Sequence, residues 1–137
     1  MTHKLLVVDD NAEVRNLLRL TLSFGDYSIR EASNGVDALN IIREWRPDIV
    51  LLDIMMPGEK DGLQVCREVK QDEYINDTFI AMLTARGQKQ DMQEGNDAGA
   101  DAYLIKPFSP MELNKMVKRF TLVKESVMAP FSRNCHD

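Results

Sequence analysis

Asp48-Ile49-Val50-Leu51-Leu52-Asp53-Ile54-Met55-Met56-Pro57-Gly58 is the stretch that decides the fold. Ile49 to Leu52 are apolar without alternation, and all are β-branched or leucine. A strand buried on both faces reads this way. The run ends on a carboxylate, Asp53, and a Pro-Gly breaker follows it. In an open parallel sheet, ligands sit just beyond the carboxyl ends of the strands. Asp53 therefore stands where a reactive group belongs.

Upstream, Lys4-Leu5-Leu6-Val7-Val8 is a second short apolar run, and it too ends on carboxylates, Asp9-Asp10. Asn11 is a good helix N-cap, and Glu13 places negative charge in the first turn. Val14, Leu17, Leu18 and Thr21 recur at helical spacing, which predicts a helix over 11–24. Tyr27 to Glu31 alternates and predicts a strand at or next to one edge. Ser33-Asn34-Gly35 is a turn. Val36, Leu39, Ile42 and Trp45 mark a second helix, closed by Arg46-Pro47.

Downstream of Gly58, Glu59-Lys60-Asp61-Gly62 reads as a polar loop. Leu63, Val65, Cys66 and Val69 mark a third helix. Thr78 to Leu83 is a further buried strand, ending at Thr84. The segment 87–98 is a polar helix whose only large apolar residue is Met92; Gly95 weakens it further, so it should be short and labile. Gly99 is a plausible left-handed stop. Asp101 to Ile105 is a fifth strand, followed by Lys106-Pro107. Ser109-Pro110-Met111-Glu112 forms a capping box that opens a fifth helix through Leu113, Met116, Val117 and Phe120. Trp45, Phe79, Met82, Met92 and Phe120 are read as core or half-buried packing residues. Strand and helix thus alternate five times, the pattern of an α/β doubly wound parallel sheet. Residues 124–137 read as a tail or the start of a linker.

The totals exclude several classes. The chain has 137 residues, enough for one domain, and a net charge of −5, which disfavours nucleic-acid binding by this chain alone. No apolar run approaches the about 20 residues that cross a bilayer, and Met1-Thr2-His3-Lys4 with the short run after it is not expected to act as a signal peptide. The expected location is cytoplasmic, with Cys66 and Cys135 as free thiols. His3 and His136 are given no role.

The strand ends carry the chemistry. Asp9, Asp10, Asp53, Thr84 and Lys106 close four different strands, and in a parallel sheet those ends share one edge. Clustered carboxylates repel, and each then favours its protonated form. A hard divalent cation removes that problem, and Mg²⁺ takes one or two carboxylates together with waters and a phosphate. Lys106 suits a phosphoryl oxygen, Thr84 can donate to the same group, and Asp53 remains as a nucleophile able to form an aspartyl phosphate.

With these residues in place the chain resembles the response-regulator receiver domains of two-component signalling. The resemblance rests on residues 5–11, 47–58, Leu83-Thr84-Ala85 and 99–108, and it spans 4 to about 121. It implies a flavodoxin-like sheet with strand order 2-1-3-4-5 and a receiver domain over 1–123. It implies Asp53 as phosphoacceptor, supplied by a histidine kinase or phosphotransfer protein. Mg²⁺ would be held by Asp10, Asp53 and the Met55 carbonyl, with Asp9 acting on it mainly through water. Lys106 would contact the phosphoryl group, and its bond to Pro107 would be cis. Thr84 and Tyr103 would act as switch residues, changing the face formed by the fourth helix, fifth strand and fifth helix. Such a protein catalyses only its own phosphorylation and dephosphorylation, and works through a downstream protein target as a monomer or a phosphorylation-dependent dimer.

One departure is visible: two residues, Glu59 and Lys60, precede Asp61-Gly62 where the family usually has one. Met55 and Arg86 flank the path of an attacking water, and bulky Met55 predicts slow to moderate self-hydrolysis. A stand-alone receiver and a receiver piece of a larger transcriptional regulator or hybrid kinase both fit. A metal-dependent aspartyl-phosphate phosphatase fits less well, since it wants an Asp-x-Asp pair after one strand. No Gly-x-Gly-x-x-Gly turn or Walker loop supports a nucleotide-binding domain.

Overall fold

Strands β1 (His3–Val8), β2 (Tyr27–Ala32), β3 (Ile49–Asp53), β4 (Phe79–Thr84) and β5 (Ala102–Ile105) alternate with helices α1 (Ala12–Leu22), α2 (Gly35–Trp45), α3 (Gly62–Gln71), α4 (Lys89–Ala98) and α5 (residues 110–122). This computed structural model describes residues 3–56, 58–84 and 89–122, with the backbone alone at 89–92 and 95. Pro57, Ala85, Arg86 and the segment 123–137, with Cys135 and His136, lie outside the described residues, as does the side chain of Met92.

The strands form one parallel sheet in the order β2-β1-β3-β4-β5. The continuous apolar runs explain why it is covered on both sides. Successive side chains leave a strand on opposite faces. Leu6, Val8, Val50, Leu52, Ile80 and Met82 face one side, where they meet Leu39 and Ile42 of α2, Val65, Cys66 and Val69 of α3, and Ala98 of α4. Leu5, Val7, Ile49, Leu51, Ala81 and Leu83 face the other, against Leu18 and Leu22 of α1 and Leu113 and Val117 of α5. Each fully buried aliphatic side chain contributes about 1.5–3 kcal/mol, so the central strands dominate the stability. β2 is an edge strand with an alternating burial pattern, as its sequence indicates.

Local chemistry fixes the helix starts. Asn11 Oδ1 accepts from the Glu13 and Val14 amides, and Asn34 Oδ1 accepts from Asp37 N. At α3 the boundary differs from the sequence reading, which left Gly62 in a loop. Asp61 accepts from Gln64 N while Gln64 accepts from Asp61 N, a reciprocal capping box that starts the helix at Gly62. Gly99 takes the left-handed conformation after α4 (φ +96°), and Ser109 Oγ accepts from the Glu112 amide at the start of α5. Trp45 is half-buried, with the Arg30 guanidinium 4.5 Å from its ring centroid. Met82 is fully buried, and Phe79 and Phe120 pack together with ring centroids 3.9 Å apart.

Candidate functional site

β1 and β3 are neighbours whose crossovers leave on opposite sides, so a crevice opens at their carboxyl ends. Asp53 is the last residue of β3, paired in register with Leu83 of β4. Backbone bonds at the next residue help fix its position. Ile54 N donates to Leu83 O at 3.0 Å, and Gly62 N donates to Ile54 O at 3.1 Å. Gly62 itself is required by space: a Cβ there would fall 2.1 Å from the Asp53 carbonyl oxygen.

Three carboxylates converge. One oxygen each from Asp9, Asp10 and Asp53 lies within 4.8 Å of the others, the one such group among the described residues. Asp9 and Asp53 are buried, Asp10 exposed. Lys106 arrives from the end of β5, its Nζ 2.6 Å from Asp9 Oδ2 and 3.6 Å from Asp53 Oδ2. The Met55 amide donates to Asp53 Oδ1 at 3.2 Å, while the Met55 side chain points into solvent. Burial and the adjacent Asp9 charge push the Asp53 carboxyl up to about 6; Lys106 and the Met55 amide oppose this, and Asp10 adds to it. A divalent cation relieves both causes at once, and the donors are all hard oxygens, so the residues fit an ion of the Mg²⁺ type.

Thr84 ends β4 and is buried beside this group, its carbonyl accepting from Lys106 N at 2.7 Å. The Lys106–Pro107 bond is cis. Tyr103 stands apart from the carboxylates: its hydroxyl donates to Asn96 Oδ1 of α4 at 2.8 Å. The lengthened loop has a defined place. The Lys60 carbonyl lies where a side chain on Gly35 would clash, and Lys60 Nζ pairs with Glu68 of α3. Arg86, expected to flank the site, lies outside the described residues.

Sequence reasoning missed three supports. Arg15 Nη1 donates to the Asp9 carbonyl at 2.6 Å and its Nε pairs with Glu31. The Asn11 amide donates to Asp9 Oδ1 at 2.9 Å, so Asn11 serves both helix cap and acid cluster. Lys70 Nζ reaches the Thr78 carbonyl and the Asp101 carboxylate. Only the cap had a sequence signal; the others join residues far apart in the chain.

Residues 5–118 match a family described as the response regulator receiver domain. The transcriptional regulatory protein ResD of Bacillus subtilis is 46% identical over 115 residues, covering 84% of this chain and 46% of ResD. The response regulator MprA of Mycobacterium tuberculosis is 48% identical over 113 residues, 82% of this chain and 48% of MprA. The chain thus spans about half the length of these curated relatives. Among solved structures, the chemotaxis response regulator CheY4 of Vibrio cholerae superposes with a TM-score of 0.82 at 32% identity, covering 88% of this chain and 99% of CheY4.

Proposed function

The chain belongs to the response regulator receiver domains of two-component systems, and from that premise we propose that Asp53 is its phosphoacceptor. The observation that carries this is a buried carboxylate at the end of the central strand, inside an acidic cluster, with an ammonium 3.6 Å away. An Asp53 carboxylate oxygen attacks the phosphorus of a phosphohistidine or a small acyl phosphate. The new O–P bond forms as the donor's N–P or O–P bond breaks, and imidazole or acetate leaves. Lys106 Nζ, already 3.6 Å from Asp53 Oδ2, holds a phosphoryl oxygen, and the Thr84 hydroxyl donates to another. Attack by water on the acyl phosphate returns the carboxylate and releases inorganic phosphate. Asp10, Asp53 and the Met55 carbonyl would hold Mg²⁺, with Asp9 in support; the ion supplies charge neutralisation for the incoming phosphoryl group.

The partners in this reading are a histidine kinase or phosphotransfer protein as donor and a protein target as output. Residues 1–123 form the receiver, and its place of work is the cytoplasm. A second reading has support in the relatives: ResD is named a transcriptional regulatory protein and is about twice as long, which suits a receiver piece of a larger regulator.

Intact-mass analysis of wild type and Asp53→Asn, incubated with acetyl phosphate with and without Mg²⁺, tests the proposal. One added phosphoryl mass is expected in wild type with Mg²⁺, and none in the variant. Equal labelling of the variant overturns the assignment of Asp53.

A further inference from the structure

We propose that Asn96 is the latch that holds Tyr103 in its outward position and thereby sets the resting balance of the α4–β5 face. The proposal rests on the reading of Asp53 as phosphoacceptor.

The described side chains of α4 give it little apolar hold on the sheet. Among its described side chains only Ala98 is buried, and residues 93, 96 and 97 are exposed. Polar ties among the described residues add to that hold. Cys66 Sγ on α3 donates to the Ala98 carbonyl at 3.5 Å, and Tyr103 Oη on β5 donates to Asn96 Oδ1 at 2.8 Å. Asp101, just before β5, accepts from Ile80 N and pairs with Lys70 of α3. The Lys70 clamp, the Cys66 bond and the Asn96 bond all gather at the C-terminal end of α4 and the turn after it. The Asn96 bond is different. It joins two side chains, it is exposed to solvent, and it ties down the tip of an aromatic ring that is only half-buried against the core.

A bond of that kind is individually weak and breakable, worth about a fivefold bias in a two-state equilibrium. Tyr103 stands on β5 two residues before Ile105, the register partner of Thr84. If the phosphoryl group draws Thr84 towards it, the ring gains an inward alternative, and entering it requires release of Asn96. By linkage, whatever stabilises the outward ring opposes phosphorylation by the same factor. Asn96 is thus a positioning residue: it acts through Tyr103 and touches none of the reacting atoms.

The test reads ring position and site occupancy separately. Tyrosines are replaced by 3-fluorotyrosine, the Tyr103 resonance is assigned by its loss in Tyr103→Phe, and beryllofluoride with Mg²⁺ is titrated. In wild type, binding is expected to move the Tyr103 resonance. Asn96→Ala is expected to move it part of the way without ligand and to bind beryllofluoride up to about fivefold more tightly. Asn96→Asp keeps an acceptor oxygen and should stay near wild type. Tyr103→Phe removes the donor and should match Asn96→Ala in affinity, and the double variant should add nothing to either single change. A wild-type ring position and affinity in Asn96→Ala, with wild type itself responding to beryllofluoride, overturns the latch alone. A resonance that binding does not move overturns it too. Failure of wild type to bind beryllofluoride at all overturns the phosphoacceptor reading and the latch with it.

Discussion

α3 and α4 are both ten residues long and lie on the same face of the sheet, yet they are held in different ways. α3 begins in a reciprocal capping box, buries Gly62, Val65, Cys66 and Val69, and ends on the Lys70 clamp. α4 reads Lys-Gln-Asp-Met-Gln-Glu-Gly-Asn-Asp-Ala, and Ala98 is its one buried residue among the described side chains. Hydrophobic burial is non-directional and adds up over area, so a helix anchored by it has one position. Polar bonds are directional and can be exchanged for others at similar cost. When charge is added at the carboxyl edge of such a sheet, the helix with the least buried area is the one to yield.

The sharpest way to break this contrast is at Gly62, where α3 meets the site. Gly62→Ala drives a Cβ into the Asp53 carbonyl, a backbone atom that cannot turn aside. A cost of about 3 kcal/mol or more is expected in urea unfolding, with loss of acetyl phosphate labelling because Asp53 is displaced. Wild-type stability and labelling in this variant would show that the α3 start is not rigid. One step smaller is a matched pair. Val65→Ala on α3 should cost about 2 kcal/mol, since the side chain is fully buried. Gln93→Ala on α4 should change stability by under about 0.5 kcal/mol, as it is exposed. Similar unfolding midpoints for the two would remove the asymmetry.

Much of this was legible in the chain. The apolar runs of β1, β3 and β4 give both faces of the sheet away because no polar residue interrupts them. The acid cluster is legible for a related reason: a carboxylate ending a strand buried on both faces is costly unless it has a task, and Asp9 and Asp53 each end one. The polarity of 87–98 likewise signals a loosely anchored helix. What stayed hidden were contacts between residues distant in sequence. Arg15 with the Asp9 carbonyl and Tyr103 with Asn96 follow no period, and exposed polar residues are compatible with many partners. The Asp61–Gln64 box did carry a local signal, an acidic residue three before glutamine, but the glycine between them pointed to a loop.

An effect smaller than the loss at Val65 sits on the seam between the two helices. Cys66 belongs to α3, but its thiol lies under the Ala98 carbonyl of α4. Burial pushes it from an ordinary value near 9 up to about 11, the Lys70 charge working against the shift and Asp101 with it. The sign follows from linkage: between those values the unfolded chain has released the thiol proton and the folded chain has not, so stability falls as pH rises from 9 towards 11. By pH 10 the loss should be about 1 kcal/mol relative to pH 8. Cys66→Ala has no such proton, so the stability difference between wild type and variant isolates this group from every other that titrates in the range. The same thiol reports on α4. If α4 opens by itself, alkylation of Cys66, read by site-resolved mass spectrometry, should depend on urea less steeply than global unfolding does, because less surface is exposed in the opening. An alkylation rate that tracks global unfolding across the urea series would mean that α4 is bound to the sheet as firmly as α3.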